Sequence, residues 1–154
     1  MPRQLRSTLP AVGIFHAVNR GTNHCAIYRD DSDRKTFLTI LGSVVVDWRW
    51  TCHAYCLMTT HYHLIVETEQ PRLSRGMQML NSRYARYFNR RYARDGHLFA
   101  GRYTVYVIDD EERLEASCRY VLDNPVRAGL CANPDEWRWC ERFSGSGTGP
   151  WPGA

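Results

Sequence analysis

Hydrophobic and polar positions alternate with different periods along the chain, and the changes of period divide it into strands and helices. Weak alternation over residues 12–19, and apolar, β-branched runs over 50–58 and 60–67, predict three strands. The last two are separated only by Thr59-Thr60, so we expect them to form a hairpin. A fourth strand is predicted within 98–108, where β-branched and aromatic residues are concentrated.

Apolar residues at three- and four-residue spacing predict three helices between these strands. The first begins at the acidic cluster 30–33, the second covers 73–94, and the third opens at 109–112 and ends near Asn124-Pro125. Acidic residues favour a helix N-terminus because they complement its partial positive charge. The order β-α-β-β-α-β-α predicts an α+β fold: a mainly antiparallel sheet with helices packed on it, in the ferredoxin-like arrangement.

The chain of 154 residues is long enough for one domain, which we expect over 1–143, followed by a flexible Gly/Pro/Ser-rich tail over 144–154. No apolar run approaches the ~20 residues of a membrane span, and no signal peptide is visible. The six cysteines form no paired zinc-binding pattern. We therefore expect a cytoplasmic protein with reduced thiols.

The basic residues are nearly all arginines, since Lys35 is the only lysine in a chain of net charge +4. Arginine favours bidentate contacts with phosphate, although a GC-rich genome would produce the same bias. Six arginines and no acid lie on the predicted second helix, interleaved with tyrosines: Arg75, Arg83, Arg86, Arg90, Arg91 and Arg94. Like charges this close repel one another, which favours a nucleic-acid surface over a merely solvated helix face.

His61 and His63 form the most distinctive pair in the sequence. Side chains two apart on a strand point to the same face, and their Cα atoms lie roughly 6.5–7 Å apart. Two imidazoles at that spacing can hold one metal ion, but they leave coordination positions open for a further ligand and a substrate. The alternative is that the pair simply forms part of a polar sheet face.

The third predicted helix carries a polar stripe at three- and four-residue steps, formed by Arg113, Ser117, Tyr120, Asn124 and Arg127. Tyr120 on this stripe has the surroundings of a nucleophile for a phosphodiester, and Asn124, one turn later, offers a neutral oxygen to a hard cation. The alternative is a tyrosine half-buried against the sheet.

Four segments in this order resemble the HUH single-tyrosine transposases, and within them the REP-associated tyrosine transposases. They are His-Ala-Tyr-Cys-Leu-Met-x-x-His-Tyr-His-Leu-Ile-Val-Glu (53–67), Leu-Asn-Ser-Arg-Tyr-Ala-Arg-Tyr-Phe-Asn-Arg-Arg (80–91), Gly-His-Leu-Phe-Ala-Gly-Arg-Tyr (96–103) and Arg-Tyr-Val-Leu-Asp-Asn-Pro-Val-Arg-Ala-Gly-Leu (119–130). The resemblance implies a ferredoxin-like HUH nuclease fold and cleavage of single-stranded DNA at hairpin-forming palindromic repeats. The chain departs from the family pattern at one point: Thr59-Thr60 stands where Pro-Asn often precedes the first histidine.

The resemblance also implies residue roles: His61, His63 and Asn124 as ligands of Mg²⁺ or Mn²⁺, and Tyr120 as the nucleophile that forms a 5′-phosphotyrosine. From the ligands alone, Mn²⁺ or Zn²⁺ would be the expectation. Rejoining needs no nucleotide cofactor, and the sequence has no Walker-type loop. The expected DNA contacts are Arg83, Arg86, Arg90, Arg91, Arg94, Arg102 and Arg127.

Two alternatives share the fold. A replication initiator or relaxase would need appended segments, for which we expect the chain to be too short. A hairpin-DNA-binding regulator would have lost cleavage, and the joint presence of His61, His63, Tyr120 and Asn124 argues against that loss. Related mobile-element transposases exchange the tyrosine helix within a dimer, whereas the REP-associated branch acts as monomers. We therefore expect a monomer, with a dimer as the alternative.

Overall fold

A computed structural model describes residues 8–144, which form five strands, three α-helices and two short 3₁₀ helices. The strands are β1 (Val12–Arg20), β2 (Thr51–Leu57), β3 (His61–Glu69), β4 (Thr104–Ile108) and β5 (Cys140–Arg142). The helices are α1 (Asp31–Asp47), α2 (Gln70–Arg91) and α3 (Glu111–Arg127), with 3₁₀ helices at Thr22–His24 and Pro134–Glu136.

The strands form one sheet in the order β4-β1-β3-β2-β5, and every neighbouring pair is antiparallel. The predicted hairpin of β2 and β3 is present, and β3 also pairs with β1 from Val12 opposite Glu69 to Arg20 opposite His61. The predicted α+β fold, an antiparallel sheet with helices packed on it, is confirmed.

The two faces of the sheet are covered by different helices. Tyr62, Leu64 and Val66 of β3 point into the main core, where apolar side chains of α1 and α2 cover them. Ile65 points to the other face and packs with Cys118 of α3 in a smaller core. Side chains alternate along a strand, so His61 and His63 lie on the α3 face.

Acidic residues begin α1 and α3, as their clusters predict. The Asp30 carboxylate accepts a hydrogen bond from the backbone N–H of Asp33 at 3.0 Å, and Asp110 accepts one from the N–H of Arg113 at 2.8 Å. Each N-cap satisfies a backbone donor that would otherwise lack an intrahelical partner.

Helix α3 continues two residues past its predicted end, through Pro125 to Arg127. A proline in the last turn removes only one intrahelical hydrogen bond, and Pro125 is buried. Gly129, at φ +75°, then ends the helix in the left-handed conformation that favours glycine.

The bounds of α2 and the presence of a fifth strand differ from the sequence predictions. Helix α2 begins at Gln70 and ends at Arg91, so Arg94 lies beyond it. The strand predicted within 98–108 is confirmed as β4, which begins at Thr104. Strand β5 is not predicted, since three residues are too few to show a period.

A disulfide joins Cys56 of β2 to Cys140 of β5, which face each other in the strand pairing with Cα atoms 4.1 Å apart. The expectation of reduced thiols is therefore wrong for this pair, although four other cysteines are free: Cys25, Cys52, Cys118 and Cys131. The pairing brings together residues 84 positions apart, which cysteine spacing does not reveal.

The tail predicted over 144–154 lies outside the described residues, apart from Ser144.

No helix within residues 8–144 combines the length and apolar character needed to cross a membrane.

One glycine on α2 permits a close contact between this helix and Trp50. A Cβ added at Gly76 would lie 2.3 Å from Cζ2 of the Trp50 ring, which is itself held by a 3.1 Å hydrogen bond from Nε1 to the Arg72 carbonyl. Alanine normally stabilises a helix by about 1 kcal/mol relative to glycine. Here the overpacking, typically about 1–3 kcal/mol, should outweigh that gain.

We expect Gly76→Ala to lower the free energy of unfolding measured by chemical denaturation. Gln78→Ala, at an exposed position of the same helix, should change it by no more than about 0.5 kcal/mol. A Gly76→Ala protein as stable as the parent would contradict the close packing of Trp50 on α2.

Candidate active site

The start of β3 is fixed by hydrogen bonds from the loop that follows β1. The carbonyl of Thr59 accepts a 2.9 Å bond from the N–H of Ile27, and the carbonyl of Thr60 accepts a 2.8 Å bond from the N–H of Gly21. Thr59-Thr60 therefore supports the hairpin turn without the Pro-Asn of the family pattern, and His61 follows directly.

The two histidines of β3 lie side by side on the α3 face, with ring centroids 5.1 Å apart. His63 is buried and His61 half-buried. Burial lowers the pKa of both imidazoles, that of His63 well below its ordinary value, with neighbouring histidines and Arg127 adding to the shift of His63. Both rings are therefore neutral at neutral pH, the form that binds metal.

A third histidine, His16 of β1, contacts this pair and was missed by the sequence analysis. Its Nε2 lies 2.9 Å from Nδ1 of His63, in a buried hydrogen bond. Burial lowers the pKa of His16 to about 4. The only sequence signal is that His16 lies in a predicted strand, and nothing local shows which residue it faces.

Tyr120 of α3 projects over these histidines. Its ring centroid lies 6.3 Å from that of His16 and 6.3 Å from that of His63, while 52% of its surface remains exposed. Arg127 contacts the same tyrosine twice: its guanidinium lies 4.0 Å from the ring centroid, and its Nη2 donates to the Tyr120 carbonyl at 2.6 Å. The ring is thus positioned at the histidines yet remains open to a substrate.

Asn124 lies one helical turn after Tyr120, as predicted, and is half-buried. Its side-chain Nδ2 donates to the Tyr120 carbonyl at 3.3 Å. The amide nitrogen makes this contact, which leaves the amide oxygen available as a ligand.

A cleft of about 830 Å³ opens beside Tyr120, between α3 and the β1–β4 side of the sheet. Such a volume falls within the range of roughly 300–1,000 Å³ that is usual for ligand sites. Exposed arginines line it, and no acidic side chain does so among the described residues. These arginines are Arg20, Arg102 and Arg113. A cleft with charge of one sign attracts an anion.

The family model for "Transposase IS200 like" matches residues 13–124, which is most of the chain and includes every residue of the site except Arg127. The chain belongs to the IS200-like transposase family. No curated protein sequence matches it.

Two solved structures share the fold. The structure of a REP-associated tyrosine transposase bound to a REP hairpin matches with a TM-score of 0.71 and 15% identity, over 100% of this chain and 98% of the other. A protein from Deinococcus radiodurans R1, described as a transposase, matches with a TM-score of 0.51 and 15% identity, over 79% of this chain and 95% of the other. The first of these proteins belongs to the REP-associated branch, which the sequence motifs resemble.

The chemistry of two neutral imidazoles that lie side by side is compatible with a divalent metal ion, whereas the Asn124 side chain is hydrogen-bonded, within residues 8–144, only to the Tyr120 carbonyl. Nε2 of His63 is buried and has no hydrogen-bond partner within residues 8–144, as expected of an atom that binds a ligand. No group of three or more His, Cys, Asp or Glu side chains in those residues could hold a metal. The predicted set contains only two such side chains, His61 and His63, and its third ligand would be the amide oxygen of Asn124.

The arginines predicted to bind DNA fall into separate groups. Arg102 lines the cleft and Arg127 lies over Tyr120, whereas Arg83, Arg86 and Arg90 are exposed on α2, across the sheet from Tyr120.

The last two arginines of that prediction have partners within the protein. Arg91 makes ion pairs of 2.6 Å with both Asp30 and Asp33, so part of the predicted like-charge conflict on α2 is relieved by acids near the start of α1. Arg94 donates to the side-chain oxygen of Asn89 at 2.8 Å.

Tyr106 of β4 also lines the cleft, with its ring 5.7 Å from that of His16. It is therefore the rival of Tyr120 for the role of nucleophile. Unlike Tyr120, it makes no ring contact with His63 among the described residues.

Proposed function

We propose that this chain is a metal-dependent single-stranded DNA endonuclease and strand transferase that acts at hairpin-forming palindromic repeats through a 5′-phosphotyrosine intermediate. The observation that carries the proposal is the position of Tyr120, exposed and directly over His63 at the end of an arginine-lined cleft. This arrangement unites a nucleophile, a pair of metal-ligand side chains and a phosphate-binding surface.

In the proposed reaction, the Tyr120 hydroxyl oxygen forms a bond to the scissile phosphorus while the bond from phosphorus to the 3′ oxygen breaks. The tyrosine proton passes to solvent, and the leaving 3′ oxygen takes up a proton. The reverse step uses a free 3′-hydroxyl as the attacking group and releases Tyr120. The phosphodiester energy is kept in the phosphotyrosine, so rejoining needs no nucleotide cofactor.

His61, His63 and Asn124 would hold Mg²⁺ or Mn²⁺ beside Tyr120. When bound there, the ion would polarise the oxygens of the scissile phosphate. The contacts of Arg127 with the Tyr120 ring and carbonyl support its role in holding the nucleophile in place.

The substrate follows from the chemistry of the cleft. Arg20, Arg102 and Arg113 can contact phosphates, and Tyr106 offers a ring on which an unpaired base can stack. The structural relative bound to a REP hairpin supports a hairpin as the paired part of the DNA. Tyr120 lies over the histidines of its own chain, so the site does not require exchange of α3 with a second copy, as the proposed action as a monomer needs.

We expect Tyr120→Phe to abolish the covalent protein–DNA band that forms with a hairpin oligonucleotide and Mn²⁺, because only the attacking oxygen is removed. Tyr106→Phe is the matched control in the same cleft and should form the band. Both variants should bind the hairpin like the parent. A band from Tyr120→Phe, or its loss in Tyr106→Phe alone, would contradict the assignment.

His61→Ala should lower cleavage by at least about 100-fold, since losing a metal ligand removes several kcal/mol of charge stabilisation. Hairpin binding should persist, because His61 is only half-buried at the start of β3. His53→Ala removes a histidine from the neighbouring strand, where it pairs with Glu67, and should leave cleavage intact. Full activity of His61→Ala, or of the parent in EDTA, would exclude metal dependence.

The α2 arginines are predicted to bind the phosphates of the hairpin backbone. Replacing Arg83, Arg86 and Arg90 together with Gln should flatten the plot of log affinity against log salt by roughly 0.7–0.9 for each phosphate that the variant no longer neutralises. Arg138→Gln is the control for a charge change, because Arg138 is 65% exposed and pairs with Asp31. If the triple variant kept the affinity and the salt slope of the parent, these arginines would not bind DNA, and this face of α2 would simply be exposed to solvent.

A further inference from the structure

The buried contact between His16 and His63 has no part in the predicted motif. Both side chains are nearly inaccessible, at 4% and 6% exposure, and their rings lie 5.2 Å apart between centroids. In the pairing of β1 with β3, Val18 faces His63 and His16 faces Ile65. His16 is therefore the diagonal neighbour of His63 on the same sheet face.

The hydrogen bond between the two rings determines what His63 can bind. A neutral imidazole carries one proton, and its other nitrogen is the one that can accept a hydrogen bond or ligate a metal. If Nδ1 of His63 holds the proton and donates it to Nε2 of His16, then Nε2 of His63 has a free lone pair. If His16 donates instead, the proton of His63 sits on Nε2, which can then no longer bind a metal.

The surroundings of His63 favour the first arrangement. Its Nε2 is buried with no hydrogen-bond partner within residues 8–144, and His63 lines the cleft beside Tyr120. A buried N–H donor without an acceptor there would cost about 1–3 kcal/mol. A lone pair at the same place is ready for a cation.

We propose that His16 is a positioning residue that accepts the Nδ1 proton of His63, and so fixes the tautomer and ring orientation in which His63 binds the metal ion. This inference rests on the proposed function, because it assumes that His63 is a ligand. His16 is not itself a ligand through Nε2, since that atom is engaged by His63. Partners of this kind typically change metal affinity by about 10–100-fold when removed.

Two substitutions of His16 separate this role from simple packing. Leucine fills the site but removes the acceptor, while glutamine can place its side-chain oxygen near the former position of Nε2. His53→Leu, a histidine-to-leucine change on β2, which is not adjacent to β1, is the control. Circular dichroism and thermal unfolding should establish that each variant is folded.

The first measurement is the tautomer of His63 in the metal-free protein, read from long-range ¹H–¹⁵N correlations of its ring. We expect a proton on Nδ1 in the parent and in His16→Gln, and a mixture of tautomers in His16→Leu. A parent protein with the His63 proton on Nε2 would overturn the inference without any reference to activity.

The second measurement is Mn²⁺ affinity without DNA, followed by electron paramagnetic resonance. We expect about 10–100-fold weaker binding in His16→Leu, partial or full recovery in His16→Gln, and no change in His53→Leu. If His16→Leu bound Mn²⁺ as tightly as the parent while His61→Ala bound it more weakly, the role of His16 would be overturned. The proposed metal-dependent function would stand. Absence of Mn²⁺ binding by the parent would overturn the metal-dependent function as well.

Discussion

The antiparallel pairing of β1 with β3 is the constraint on which the candidate site depends. It runs through nine residue pairs in the centre of the sheet and sets the face and position of every histidine in the site. A slip of one residue would turn His16 toward the opposite face and break its bond to His63. The large side chains that alternate with them, such as Phe15 and Tyr62, are fully buried against α1 and α2 and oppose such a slip.

The second requirement is that α3 packs on this face of the sheet where Tyr120 can reach the histidines. Helical geometry alone puts Tyr120 and Asn124 on one side of α3, and the packing of Cys118 and Val121 against the sheet accompanies the approach of the Tyr120 ring to His16 and His63. An ion pair between Glu115 of α3 and Arg142 of β5 adds a further attachment at the far edge of the sheet. Tyr120, the proposed nucleophile, is thus placed by the core and still lines the cleft with 52% of its surface exposed.

Local patterns predicted the features that depend on near neighbours in the chain. The strand and helix order, the acidic N-caps and the shared face of His61 and His63 all follow from periodicity and elementary electrostatics. The features that were missed depend on partners far away in the sequence. His16 meets His63 only through strand register, Arg91 meets Asp33 only through the packing of α1 on α2, and β5 is recognisable only by its pairing with β2.

The identity of the nucleophile is the central claim, and peptide mapping of a trapped covalent adduct tests it most directly. After reaction with a hairpin oligonucleotide and Mn²⁺, digestion with nuclease and trypsin separates the rivals. The tryptic peptide 120–127 contains Tyr120 as its only tyrosine, whereas the peptide 103–113 contains Tyr103 and Tyr106. We expect a 5′-phosphate-linked nucleotide on the peptide 120–127; a nucleotide on the peptide 103–113, or on any other tyrosine, would contradict the assignment of Tyr120.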